Sequence, residues 1–253
     1  VGPGDDGIVF RRTDTRGSVR AVWRNVSATR LATVIEERGT RVQTIEHLMS
    51  ALAALGVIAA TVEIDGPEVP IMDGSAAPFL SALAPAVEAS ADGAEAIRVM
   101  RPVFVREKDA WTAFLPHEGR LFDVAIDFPD AAIGSQRVVF DLDTDDYAAA
   151  VAPARTFGRL ADVGKLRRRG YGRGASLDNA IAVDGARVVN PEGLRFPDEF
   201  VRHKLLDAIG DLSLAGRPII GLYRSHKGGH RLNYRLLASL LGSPENFKVV
   251  AKL

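Results

Sequence analysis

Apolar positions along this 253-residue chain change period several times, and each change marks an expected element. From Ile8 to Val34 they alternate in the manner of short strands. Between Thr44 and Leu55 they fall at Ile45, Leu48, Met49, Leu52 and Leu55, the spacing of one helix face, with Thr44 placed to cap it. A strand is expected at Thr61 to Ile64. The loop from Asp65 to Gly74 is rich in turn residues, and Ser75 is placed to cap a second helix running to about Ala89. Ala91 to Ala94 reads as a linker. Partial alternation then predicts strands at Arg98 to Arg106, Trp111 to Leu115, Leu121 to Phe128 and Gln136 to Leu142. Asp184-Gly185, set between two apolar arms, predicts a hairpin. Two further helices are expected, Glu199 to Ala215 closed by Gly216, and His230 to Leu241 closed by Gly242.

Strand blocks followed by helices predict an α+β chain in layers. The similar order of elements in the two halves points to structural duplication, although no sequence repeat accompanies it.

Composition narrows the partners. Hydrophobic residues make up 47% of the chain, enough for a sizeable core. With 32 basic and 32 acidic residues there is no global field to draw the protein onto nucleic acid, and a small-molecule partner is expected. There is no cysteine, so thiolate chemistry is excluded and any metal must be held by His, Asp or Glu. No uninterrupted apolar run reaches the ~18 residues that a membrane span needs, and the N-terminus lacks the regions of a signal peptide, so a soluble, cytoplasmic protein is expected.

Ionisable groups are densest between Phe200 and Leu212. On a helix, His203 and Asp207 are four apart and share a face, with Asp211 a turn further on. An imidazole and a carboxylate at this spacing can grip one divalent ion, or they can form an ordinary surface pair. Glu46-His47 is the second candidate. At a helix N-terminus positive charge is disfavoured, so His47 should stay neutral and keep a lone pair for a metal. Adjacent helical side chains diverge by ~100°, so Glu46 would reach a water on the same ion rather than the ion itself. An ordinary structural His-Glu pair is the plainer alternative. Gly228-Gly229-His230 brings a third histidine, fit for an acid or an anion contact, or for a Gly-rich turn. The basic run Arg155 to Arg173 reads mostly as a solvated face, with one or two residues free to meet a diphosphate or an anionic membrane surface.

Four segments resemble the UDP-3-O-acyl-N-acetylglucosamine deacetylases: Thr44-Ile-Glu-His-Leu48, the run from Pro67 to Phe79, Ala154-Arg-Thr-Phe-Gly158, and Phe200 to Leu212. With their flanks they extend over nearly the whole chain. The resemblance implies hydrolysis of the N-acetyl group of an acylated UDP-sugar, releasing acetate, in the committed step of lipid A synthesis. It implies zinc on His47, His203 and Asp207, a ligand set that also suits iron(II). It implies Glu46 as general base, His230 as acid or oxyanion stabiliser, Asp211 as the carboxylate orienting His230, Thr156 and Lys204 as contacts to substrate or tetrahedral intermediate, and Phe157 against the sugar-nucleotide. It further implies two βααβ sandwich domains of similar topology, residues 1–94 and 95–253, with the active site between them. A βαβ insert near residues 157–189 would cover the acyl chain. A monomer with at most peripheral membrane contact is expected. Family members carry strands ahead of the segment matching Ile8 to Thr13, so the first sheet is expected to lack an edge. The rival readings are a metal hydrolase for another N-acetylated sugar and an acyl-sugar-binding module holding a structural ion.

Overall fold

The computed structural model describes residues 7–87, 95–172 and 174–251. In the first part, β1 (Ile8–Arg12), β2 (Ser18–Arg20), β3 (Val26–Ala28), β4 (Val34–Glu37) and β5 (Thr40–Gln43) precede α1 (Glu46–Ala54), β6 (Ala60–Ile64) and α2 (Ala77–Leu83). They form two three-stranded sheets. One has the order β2-β1-β6, with β6 parallel to β1, and the other is the antiparallel meander β3-β4-β5. Phe10, Val19, Ile35 and Val42 have no exposed surface, so both sheets turn an apolar face inward.

Along the rest of the chain come β7 (Glu95–Val99), β8 (Val103–Glu107), β9 (Ala110–Leu115), β10 (Arg120–Asp127), β11 (Ser135–Asp141), α3 (Tyr147–Ala150), β12 (Phe157–Arg159), α4 (Leu160–Arg168), β13 (Ile181–Asp184), β14 (Arg187–Val188), α5 (Glu199–Leu212), β15 (Ile219–His226), α6 (His230–Leu241) and β16 (Phe247–Ala251). β15 organises a seven-stranded sheet. It runs parallel to β10 on one edge; on the other it meets β9 antiparallel and, nearer its start, β7. β12 and β13 pair in parallel across α4, and β14 completes a third small sheet.

The sequence expectations hold for most elements, with local corrections. The strand expected over Arg98 to Arg106 is two strands. Pro102 cannot donate to a ladder, and the chain breaks there, so β7 joins β15 and β16 while β8 pairs with β9. The second helix is short and passes into a 3₁₀ turn at Ala84–Ala86; the end expected near Ala89 and the linker 91–94 lie outside the described residues. The loop of the hairpin falls on Gly185 and Ala186, one residue later than expected, because Asp184 pairs with Arg187. Gly216 closes the α5 region in the left-handed conformation, as expected of a C-terminal glycine, whereas Gly242 at φ −77° does not adopt it.

The centre of the molecule is α5. All of its 14 residues except Arg202 and Lys204 are buried, because it is covered by α1 on one side, by β10 and β11 on another and by α6 on a third. α1 is buried from Glu46 to Leu52 for the same reason. Ionisable residues at the α1–α5 contact are therefore removed from water, where a charge is costly unless it is paired or bound to a metal.

Candidate active site

α1 and α5 cross where each carries its chemistry. His203 and Asp207 sit one turn apart on α5, and His47 in the first turn of α1 meets them. Nε2 of His203 lies 3.4 Å from Asp207 Oδ1, and Nε2 of His47 lies 3.8 Å from the same oxygen. Ligand atoms from these three residues all fall within 4.8 Å of one another. The two imidazole rings stand edge to face, with centroids 5.0 Å apart and an interplanar angle of 88°.

The tautomer of His203 follows from its partner. Nδ1 is 3.0 Å from the carbonyl oxygen of Ala154; a carbonyl only accepts, so Nδ1 donates and Nε2 keeps its lone pair for an ion. Asp207 Oδ2 accepts from Lys204 Nζ at 2.8 Å. Oδ1, buried and turned to both imidazoles, has no hydrogen-bond partner, and neither has His47 Nδ1. A buried carboxylate oxygen left without a donor is costly, and a divalent cation supplies what it lacks. The donor set therefore fits a metal ion: two nitrogens and one oxygen on rigid helices, fewer than the four ligands that close a structural site.

The charge states agree. Burial pushes the His47 imidazole down to about 3, helped by the neighbouring His203, and burial holds His203 below its ordinary value, so both are neutral ligands. Burial opposes ionisation of Asp207, but Lys204, His203, His230 and His47 together outweigh it and hold the carboxyl well below the usual range. Lys204 is likewise disfavoured by burial and rescued by the charge and hydrogen bond of Asp207, so it remains an ammonium.

Glu46 precedes His47 and is buried beside the ligands, not among them. Its Oε2 accepts from the backbone N–H of Thr33 at 3.0 Å, and burial, supported by the charges of Asp207 and Asp211, pushes the carboxyl up to about 7. His230 stands opposite at the start of α6, with Nε2 3.9 Å from Glu46 Oε1, too far for a hydrogen bond. Its Nδ1 donates to Asp211 Oδ2 at 2.9 Å. Burial works against the imidazolium, but the charge and hydrogen bond of Asp211, with the charges of Asp207 and Glu46, raise it to about 10. A carboxyl raised to about 7 can take up a proton near neutrality, and an imidazolium held to about 10 can give one up, so the facing pair can serve as a base and an acid.

These groups open on a cavity of about 510 Å³ lined by Glu46, His47, Thr156, Phe157, His203, Lys204, Asp207 and His230, with Lys108, Lys227 and Gly229 at other parts of its wall. Asp211 lies behind His230 and does not line it. Phe157 is packed edge-on to Phe200 and Phe128, with ring centroids 5.0 and 5.5 Å away, and Lys204 Nζ sits 5.6 Å from its ring centre. Nine of the residues named from the sequence are thus brought to one place.

The sequence motifs explain much of this placement. In Ala154-Arg-Thr-Phe-Gly158, the Ala154 carbonyl fixes His203, the Arg155 guanidinium pairs with Glu199 and Glu192, and Thr156 and Phe157 face the cavity. Arg155 is 2% exposed, so this member of the basic run is an internal anchor for the start of α5 rather than a solvated charge. The Pro67 to Phe79 run is scaffold. Glu68 accepts from Thr44 Oγ1 at 2.7 Å, and this draws Thr44 away from the expected capping role; the N-cap position of α1 is Ile45. Asp73 binds Ser75 and Arg195, and the carbonyl of Gly74 accepts from the N–H of Thr156 at 2.7 Å. Ser75 Oγ accepts from the N–H of Ala77 at 3.2 Å, but the N-cap position of α2 is Ala76, one residue later than expected.

Sequence reasoning missed Thr33 and Asn233. Thr33 Oγ1 donates to Asp211 Oδ1 at 2.6 Å, and Asn233 Nδ2 donates to Asp211 Oδ2 at 2.8 Å. Thr33 has no local signal, whereas Asn233, three residues after His230 on α6, shares its helix face and could have been found by spacing. They reach the site from 178 and 22 residues away along the chain.

An open set of three groups able to hold a metal ion, flanked by a buried carboxyl and an imidazole on an α+β scaffold, fits the layout of a metal-dependent hydrolase site. Residues 2–242 match the LpxC family, described as UDP-3-O-acyl N-acetylglycosamine deacetylase. The chain is 47% identical over 249 residues to the UDP-3-O-acyl-N-acetylglucosamine deacetylase of Chromobacterium violaceum, covering 96% of this chain and 82% of that protein. It is 45% identical over 251 residues to the Myxococcus xanthus protein of the same name, covering 98% and 80%. Its identity to the Brucella ovis deacetylase is 43% over 250 residues, covering 97% and 87%. The chain belongs to the LpxC family of UDP-3-O-acyl-N-acetylglucosamine deacetylases.

Proposed function

We propose that this protein hydrolyses the N-acetyl group of UDP-3-O-(3-hydroxyacyl)-N-acetylglucosamine, releasing acetate, in lipid A biosynthesis. The observation that carries the reading is the orphaned Asp207 Oδ1 facing two neutral imidazoles beside a carboxyl poised near 7. Family membership supplies the substrate class. His47, His203 and Asp207 would hold zinc, or iron(II), whose ligand preferences are similar. When bound, the ion supplies Lewis acidity to an amide carbonyl and acidifies water from a pKa of about 15.7 to about 7.

The chain's own residues do the rest. Glu46 takes the proton of the attacking water on Oε1, since Oε2 is held by Thr33. Lys204 Nζ and the Thr156 hydroxyl donate to the oxyanion, a contribution of roughly 3 to 4 kcal/mol for one good donor. His230, held as an imidazolium by Asp211, gives its Nε2 proton to the departing amine. Phe157 forms the wall against the sugar-nucleotide.

The wider architecture is part of the same proposal. Residues 1–94 and 95–253 form two sandwich domains of similar topology with the site between them. The β12-α4-β13 unit is the insert that covers the acyl chain. Among the described residues no helix is long and apolar enough to cross a membrane. We propose a cytoplasmic monomer that meets the membrane at most peripherally, and a small-molecule substrate.

The deciding experiment is deacetylation of the acylated UDP-sugar by zinc-loaded protein, beside the same sugar without its acyl chain. Turnover is expected with the first substrate, with KM raised or kcat lowered as the chain is shortened. Equal turnover of both would remove the acyl-binding role of residues 157–189 and point to another N-acetylated sugar. One bound zinc without any turnover would leave a binding protein.

The acid and base also fix a pH dependence. Glu46 must be ionised to accept a proton, so kcat/KM should rise as pH passes about 7; His230 must be protonated to donate one, so it should fall as pH passes about 10. Asp211→Asn removes a charge that holds the His230 proton and should move the falling limb to lower pH. A falling limb that stays in place would dissociate it from His230.

A further inference from the structure

We propose that Thr33 is a positioning residue that holds the base and the acid of the cleft in one frame, an inference that rests on the roles given above to Glu46 and His230. Thr33 lies between β3 and β4, 2% exposed. All of its polar groups are engaged. The backbone N–H donates to Glu46 Oε2 at 3.0 Å, the hydroxyl donates to Asp211 Oδ1 at 2.6 Å, and the carbonyl accepts from the N–H of Thr44 at 3.1 Å, two residues ahead of α1. Among the described residues, no other residue hydrogen-bonds to both Glu46 and Asp211.

The consequence is geometric. Asp211 gives Oδ2 to His230 Nδ1 and to Asn233 Nδ2, whose own Oδ1 accepts from Tyr223 at 2.6 Å. A carboxylate held only through Oδ2 could swing about that contact. The Thr33 hydroxyl on Oδ1 fixes the carboxylate plane, and with it the orientation of the His230 ring. The backbone N–H of the same residue takes one oxygen of Glu46 and leaves the other facing His230. The β-branch restricts χ1 and so keeps the hydroxyl aimed without help from solvent. Base and acid come from α1 and α6, elements far apart in sequence, and Thr33 gives them a common support that adds no charge.

Thr33→Val keeps the shape and removes the hydroxyl; Thr33→Ser keeps the hydroxyl and removes the branch. For zinc-loaded proteins acting on the acylated UDP-sugar, Thr33→Val should lower kcat about 10- to 100-fold with KM little changed, as loss of an outer-shell partner does. Thr33→Ser should recover most of it. Bound zinc should stay at one ion per chain in both variants. A second readout needs no turnover: in protein labelled at histidine nitrogen, the His230 Nδ1 proton donated to Asp211 should give a protected downfield signal that is lost or shifted in Thr33→Val and restored in Thr33→Ser. A parallel loss of zinc, a KM rise matching the fall in kcat, or an unchanged His230 signal in Thr33→Val would overturn the proposal. Absence of turnover in the unsubstituted protein would sink the deacetylase reading alone, and the histidine signal would still decide the role of Thr33.

Discussion

Replacing Glu46 with glutamine is expected to lower kcat by about 10²- to 10⁴-fold, the range that a general base contributes, while leaving bound zinc at one ion per chain. The side chains are nearly isosteric, and the amide oxygen can still accept from the Thr33 N–H, so the geometry around α1 should survive. What is lost is the proton acceptor. The loss should fall on kcat rather than KM, because the base acts only as the transition state forms. The choice of substitution matters: Glu46 is buried within reach of His230, and alanine would leave a hole beside an imidazolium as well as removing the base. Zinc lost along with activity would make Glu46 part of the metal site. Activity within a few-fold of the parent would show that another group takes the proton; the titration assigned to Glu46 would then belong elsewhere.

How far the site is legible in the sequence depends on whether its residues share an element. His203, Asp207 and Asp211 recur with the period of α5, so their common face follows from spacing alone. Glu46-His47 is legible as a neighbouring pair, and the ~100° between adjacent helical residues separates their tasks. That the two sets meet is not legible, because nothing local encodes the crossing of α1 and α5. Thr33 and the Ala154 carbonyl are invisible for the same reason: one is a threonine among the apolar residues Leu31, Ala32, Val34 and Ile35, the other a backbone oxygen, and both act only after long-range packing. Local rules fail where a tertiary contact offers a better partner. Thr44 leaves the helix cap for Glu68, and Arg155 leaves the solvated face for Glu199. Pro102 is a local signal that the alternation pattern alone passes over; it divides the strand expected over Arg98 to Arg106.

The crossing itself depends on a residue with no side chain, and Gly210→Ala should be among the most damaging single substitutions away from the ligands. A Cβ built at Gly210 would lie 2.0 Å from the carbonyl oxygen of Glu46 and 2.9 Å from its carbonyl carbon. Those atoms are backbone and belong to the first turn of α1, so no side chain can turn aside to make room. The helices must part, and the part of α1 that moves carries both Glu46 and His47. Overpacking of a filled core typically costs about 1–3 kcal/mol, and here the core also holds the buried charge of Asp207, which depends on close pairing with the half-buried Lys204. The expected result is a lower unfolding midpoint together with weakened zinc binding and a kcat at least ~100-fold down, since a displacement of about 1 Å in catalytic geometry can cost that much. Excess zinc should restore part of the stability, because an ion that binds only the folded state favours it by mass action. Retention of full zinc affinity in a destabilised Gly210→Ala protein would show that His47 is placed by something other than the approach of α1 to α5.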